Sequence, residues 1–218
     1  MNIIFEFTDK TRLYSKCIYA SICHAVMVGK YTLLSDEISW DGTNFLFQDM
    51  EGIRGVMSFS NNIFLCGIQN EKNYLKGENN IESILLKDAG LDVISGIREE
   101  IFPYLLVESD EGDIPAISAV FWGEEKIYSN MSEKEFMYKS DNILLPYLYE
   151  ERDMKKYWRD YYEMNKEQEQ IVDELYLKKM ANSSFLLNTV QKEKLNKWFG
   201  EKRVYCERSL GEIGIMFD

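Results

Sequence analysis

Glu124, Glu125 and Lys126 stand side by side directly after Trp122-Gly123, and they are the residues whose types and spacing best suit catalysis. Two carboxylates can hold a divalent cation, and the cation turns a bound water into a nucleophile. A lysine beside them offsets the charge that develops. The second acid would come from upstream, from Asp110 or Asp113. The chemistry therefore requires Asp113, Glu124 and Lys126 to converge across a bent hairpin. His24 is the single histidine of the chain. As a general base it needs a nucleophile placed beside it. Cys17 lies two helical turns away, about 10 Å of rise, too far for direct proton transfer. Cys23, adjacent in sequence, points elsewhere. His24 reads as a core or helix-surface histidine.

The Glu-x-Lys spacing of Glu124 and Lys126 resembles one half of the PD-(D/E)xK nuclease pattern. The resemblance implies a metal-dependent nuclease in which Asp113 and Glu124 hold the metal and Lys126 stabilises charge. It covers a few residues only. Asp113 precedes Ile114-Pro115 where the pattern has its acid after the proline, and the surround is acidic where a nucleic-acid face is basic. The plainer reading is a solvated hairpin turn. Gly52-Ile53-Arg54-Gly55 is a GxxG string, similar to the loop of RNA-binding KH modules. Such a loop joins two helices in a basic surround. Here it opens a strand, which favours a turn or bulge. The sequence has no phosphate-binding glycine loop, no GxSxG, no HExxH and no EF-hand loop. Cys17, Cys23, Cys66 and Cys206 form no CxxC pair, so they read as buried thiols, with no metal and no cofactor expected.

Net charge is −12, with a pI near 4.7. A surface of that sign repels phosphate backbones and anionic membranes. The expected partner is another protein with a basic surface. Between Glu78 and Ile114 stand ten acids and two bases, Lys87 and Arg98. Glu99, Glu100, Glu108, Asp110, Glu111 and Asp113 are expected to be exposed, because a buried carboxylate needs a partner and few cations are at hand. The expected function is that of a non-enzymatic, acidic protein-interaction protein. It would be an immunity-type inhibitor of a basic toxin or an accessory subunit of a complex. The metal-dependent nuclease is the alternative. A third class is a scaffold that oligomerises through Tyr157, Trp158 and Tyr161. No run of about 18 apolar residues occurs, and Met1 to Lys10 has no basic start followed by an apolar stretch. A cytoplasmic chain that does not span a membrane is expected.

These residues must be positioned by an α+β fold, with an antiparallel β-meander packed with helices and then a mainly helical C-terminal part. The meander spans Tyr31 to Asn70. Alternating apolar runs predict strands over Leu33 to Trp40, Asn44 to Gln48, Ile53 to Phe59 and Ile63 to Gln69. Asp41-Gly42, Asp49 to Gly52 and Ser60-Asn61-Asn62 supply the turns. Asn2 to Phe7 predicts an opening strand. Thr8-Asp9 then caps a helix, Lys10 to Val28, expected to pack on the meander. Ile81 to Leu106 reads as helix, interrupted at Gly90, Gly96 and Pro103. Pro115 to Tyr128 reads as a hairpin or long strand. Ser132 with Glu135 predicts a capped helix running toward Tyr147. Glu150 to Met180 is the longest helical pattern, with a stripe of Met154, Tyr157, Trp158 and Tyr161. Leu186 to Phe199 is a further helix, and Val204 to Cys206 and Ile213 to Phe217 are closing strands. A boundary is expected near Leu148 to Glu151, dividing residues 1–149 from 150–218.

Overall fold

Alternation of apolar and polar residues becomes alternation of sheet faces in the centre of the chain. Asn44–Gln48 (β3), Ile53–Ser58 (β4) and Phe64–Asn70 (β5) are successive antiparallel strands, close to the expected limits. The computed structural model describes residues 2–5, 9–60, 62–110 and 112–217. Gly42 takes φ 60° at the expected Asp41-Gly42 turn, where only glycine is unstrained. Every residue of β5 is buried, as the apolar character of both faces implies. Gly55 opposes Phe47 and lies beneath its ring, so a Cβ there would collide with the phenyl group. Asn61 lies outside the described residues, and so do Phe7 and Thr8 of the expected opening strand and cap. Asp9 does take a capping contact, its Oδ1 accepting from the Arg12 amide at 2.8 Å.

The chain forms two compact units: Met1–Leu13 with Thr43–Leu145, and Tyr14–Gly42 with Pro146–Asp218. It crosses between them after Leu13, after Gly42 and after Leu145. In the first unit, Asn2–Phe5 (β1), Ala119–Gly123 (β9) and Ile127–Ser129 (β10) join β3, β4 and β5. The six strands run β1-β10-β9-β5-β4-β3, with antiparallel pairing throughout. Leu75–Lys76 (β6), Leu106–Val107 (β7) and Ile114–Ile117 (β8) make a smaller sheet in the order β6-β8-β7. The core of this unit includes Phe45, Met57, Phe64, Ile68, Val120 and Phe121. The helical reading of Ile81 to Leu106 breaks further than expected. Glu78–Leu85 (α2) and Leu91–Gly96 (α3) are separated before Gly90, while Gly96 passes without interruption into a π-helical turn, Ile97–Ile101. Pro103 then holds a 3-10 turn. Glu133–Lys139 (α4) begins at the expected cap, Ser132 Oγ accepting from the Glu135 amide at 3.2 Å. It ends well before Tyr147, because Asp141 and Asn142 take left-handed φ values.

The second unit contains most of Lys10–Met27 (α1), with Ile38–Asp41 (β2), Glu151–Tyr161 (α6), Lys166–Ala181 (α7), Thr189–Phe199 (α8) and Arg203–Glu212 (α9). Leu145–Leu148 (α5) spans the last crossing. The first meander strand is shorter than expected. Thr32–Leu34 is a 3-10 turn with Leu33 largely exposed, and pairing geometry begins only at Ile38. The helix over Lys10 to Val28 belongs, from Tyr14 onward, to this unit, whereas β3, β4 and β5 belong to the other. The long pattern from Glu150 divides at Tyr162 to Met164. Asn165 restarts the helix with a full capping box against Gln168. Val204 to Cys206 is helix, not strand. Cys206 and Leu210 are buried four residues apart, which is helical spacing, and Val204 faces outward. Ile215–Met216 (β12) does form a closing strand, parallel to Phe185–Leu186 (β11). Among the described residues no helix is long and apolar enough to cross a membrane.

Candidate functional site

The second unit buries an unusual set of polar side chains around the lone histidine. His24 comes from the inner face of α1 and is 1% exposed. Glu37 comes from the loop before β2, and Tyr161 and Tyr162 from the end of α6. Their placement follows from the apolar stripe of α6. Met154 and Trp158 are buried one turn apart, and Tyr162 follows one turn later, its ring stacked on Trp158 at 6.1 Å. His24 Nδ1 is 3.0 Å from the Tyr162 hydroxyl. That hydroxyl donates to Glu37 Oε2 at 3.2 Å, and Nδ1 itself lies 4.0 Å from the same oxygen. The Tyr161 hydroxyl donates to Glu37 Oε1. Tyr162 has one proton to give, so while it donates to Glu37 its oxygen is left to accept from His24 Nδ1–H, and one hydroxyl serves both groups. His24 Nε2 is buried and has no side-chain hydrogen-bond partner among the described residues. Outside the cluster, Tyr31 donates to Glu163 Oε2 at 2.8 Å, and Lys30 meets the same oxygen at 2.8 Å. Both groups of that ion pair are well exposed, so it contributes little.

Burial sets the electrostatics. It drives the His24 pKa down to about 4, helped by the positive Arg208 and opposed by the Ser35 carbonyl and by Asp36. Burial pushes the Tyr162 hydroxyl well up, and the neighbouring Glu37 charge adds to that. His24 is therefore neutral at pH 7, and Tyr162 keeps its proton. A neutral base with 1% exposure has no access to a substrate. The geometry suits a lock that fixes α6 on α1 better than a proton-transfer site. The four cysteines are buried thiols in no disulfide, as their spacing implies. Trp158, one of the residues expected on an oligomer surface, is 4% exposed and belongs to this core. Tyr157 is half-buried, and Tyr161 is exposed with its hydroxyl on Glu37.

The nuclease residues come from two separate turns of the chain. Glu124, Glu125 and Lys126 occupy an exposed hairpin turn between β9 and β10. Asp113 precedes β8. Between Asp113 and Glu124 runs the extended segment 114–123, with one bend at Ser118. Asp110 lies further still along the chain. Among the described residues no group of three or more His, Cys, Asp and Glu side chains is close enough to hold a metal. The GxxG string is the end of a turn and the start of β4, not a link between helices.

The acidic candidates gather differently. Glu108, Asp110 and Asp113 sit around the tip of the β7–β8 hairpin, where Val107 pairs with Ile114. Ser109 and Gly112 close that tip with reciprocal backbone hydrogen bonds of 3.1 Å. The three carboxylates are exposed, and none forms a hydrogen bond or ion pair among the described residues. Glu111 lies outside the described residues. Glu99 is exposed and accepts from Ser95 Oγ at 2.8 Å. Glu100 departs from the expected exposure. It is half-buried and accepts from Asn44 Nδ2 at 3.1 Å, beside the Tyr104 hydroxyl. Arg98, one of the two cations of this segment, forks onto Glu82 at 2.5 and 2.8 Å. The segment's acids thus keep most of their charge. Comparison with family models, with curated proteins and with solved structures finds no match to this chain.

Proposed function

We propose that this chain is a non-catalytic interaction protein whose acidic unit engages a basic protein partner. The partition of charge carries the reading. The unit built from residues 1–13 and 43–145 has 20 acidic and 10 basic residues, whereas the other unit has 17 and 15. Ten of the twelve net negative charges therefore fall on one unit. The β7–β8 tip presents Glu108, Asp110 and Asp113, which meet no cation among the described residues. Such a field steers a cationic partner and raises its association rate more than its intrinsic affinity. An inhibitor of a basic toxin and an acidic subunit of a larger assembly both use this chemistry.

The test is affinity capture from the host with the full chain and with the double variant Asp110→Lys, Asp113→Lys, followed by mass spectrometry. A basic protein retained by the parent and lost, or about tenfold weaker, on the variant supports the reading. Both side chains are exposed, so the variant should melt within a degree or two of the parent. Identical captures by two equally folded proteins overturn it.

A further inference from the structure

Arg54 is a cation of the acidic unit that meets no carboxylate among the described residues, and it is held in place by neutral acceptors on both sides. It projects from β4 between Gln48 on β3 and Gln69 on β5, each directly opposite in the register. Its Nε donates to Gln69 Oε1 at 2.7 Å, and its Nη2 to the Leu106 carbonyl at 2.7 Å. Gln69 is in turn fixed, donating from Nε2 to the Ala116 carbonyl at 2.9 Å. Both acceptors of Arg54 are neutral, so the guanidinium keeps its full charge in a set orientation. A guanidinium has five N–H donors, so three remain. None of them meets an acceptor among the described residues.

These donors line a cleft of about 500 Å³, within the range of small-molecule sites. Glu71 lines the same cleft. Its amide donates to the Gly52 carbonyl at 3.1 Å, which continues the β4–β5 ladder and makes Glu71 the diagonal neighbour of Arg54. Gly52 has no side chain to hold Glu71 away, and a Cβ there would stand 3.0 Å from Oε2. Glu71 forms no ion pair among the described residues. The cleft thus holds a fixed cation and an unpaired anion that do not meet each other. Diagonal positions on neighbouring strands are about 7–8 Å apart. Two long side chains rooted at that spacing can both reach a small ligand held between them.

We infer that the Arg54 cleft binds an α-amino acid, its carboxylate on Arg54 and its ammonium on Glu71. Met50, Tyr74 and Val107 supply the wall for an apolar or aromatic side chain. Met50 is held at the rim by the Asp49 turn, where Asp49 Oδ1 accepts from the Glu51 amide at 2.8 Å and the Ile53 amide at 2.9 Å. The net charge of −10 on this unit disfavours a polyanion such as a phosphate ester, and Arg54 disfavours a simple cation. A zwitterion satisfies both charges at once.

The experiment is titration calorimetry of the full chain with free apolar and aromatic L-amino acids, their N-acetyl derivatives and their methyl esters. A free amino acid should bind with a Kd of roughly 0.1–1 mM, as suits a ligand of this size. Blocking either end should weaken it about tenfold or more, and Arg54→Lys should do the same, because lysine has no fork. Glu71 is exposed, so Glu71→Gln leaves the fold intact; in that variant the N-acetyl derivative should bind as well as the free form. Absence of binding by every free amino acid overturns the assignment. So does binding by the parent protein that ignores both blocking groups.

Discussion

Tyr162→Phe is expected to cost about 2–4 kcal/mol, several times the loss from an ordinary hydroxyl, because it strands two buried groups at once. The Tyr162 hydroxyl is the partner of both His24 Nδ1 and Glu37 Oε2. Without it the carboxylate loses a buried donor, and the imidazole, whose Nε2 has no partner among the described residues, loses its side-chain hydrogen bond. Tyr161→Phe is the control. The residue is 41% exposed, so water can replace the lost donor, and a cost under about 1.5 kcal/mol follows. Urea unfolding followed by tryptophan fluorescence, to which Trp158 stacked on Tyr162 contributes, measures both. A second cycle with His24→Leu should recover part of the Tyr162→Phe loss, since an apolar residue leaves nothing stranded. Equal costs for Tyr161→Phe and Tyr162→Phe would remove the lock from this account.

Acid should weaken the same unit in a window set by one residue. In the unfolded chain His24 takes its proton near the ordinary value of 6.5, and in the fold only near about 4. Between those values the unfolded chain holds more protons. Stability is therefore level above about pH 6.5 and falls as pH drops toward 4. The full loss is about 3 kcal/mol, at about 1.4 kcal/mol per tenfold change in proton affinity. Glu37, 4.0 Å from Nδ1, favours the charged ring and makes that figure a ceiling. Because the chain has one histidine, the imidazole proton resonances in an NMR titration belong to His24 alone. They should stay at their neutral positions down to pH 5. His24→Gln should flatten the stability curve between pH 6.5 and 5. A folded-state titration near 6.5 would show that the ring is solvated.

Local chemistry was legible in the sequence, and distant pairing was not. β3 and β4 follow from alternating residues and from glycine or Asx turns, all within a few positions of one another. Ser132 with Glu135 gives α4 its start in the same way. The lock is different in kind. His24 and Tyr162 are 138 positions apart, and nothing near either one names the other. The α6 stripe identified a packing face, but not that its last turn would carry hydroxyls into the core. Glu37 sits in a short turn that reads as the first strand of the meander. Val204 to Cys206 is too short for a period to be counted, so β-branched and apolar character stood in for it, and the helical burial of Cys206 and Leu210 decided the outcome. The Arg54 cleft left one trace, the GxxG string, whose glycines make room at a strand end and do not form a nucleic-acid loop. Glu100 shows the limit of a charge argument. Its carboxylate tolerates partial burial because Asn44 and Tyr104 supply neutral polar company.

The claim that the acidic unit does the recognising rests on long-range electrostatics, and its rate constant is the direct witness. Once a partner is captured, stopped-flow association at ionic strengths from about 10 to 150 mM tests it, because the screening length shrinks from about 30 Å to 8 Å over that range. The account predicts an association rate that falls at least tenfold across the series, a dissociation rate that changes little, and a much flatter series for Asp110→Lys with Asp113→Lys. An association rate that is the same at both ends of the series, in the parent and in the charge-reversed protein, would contradict it.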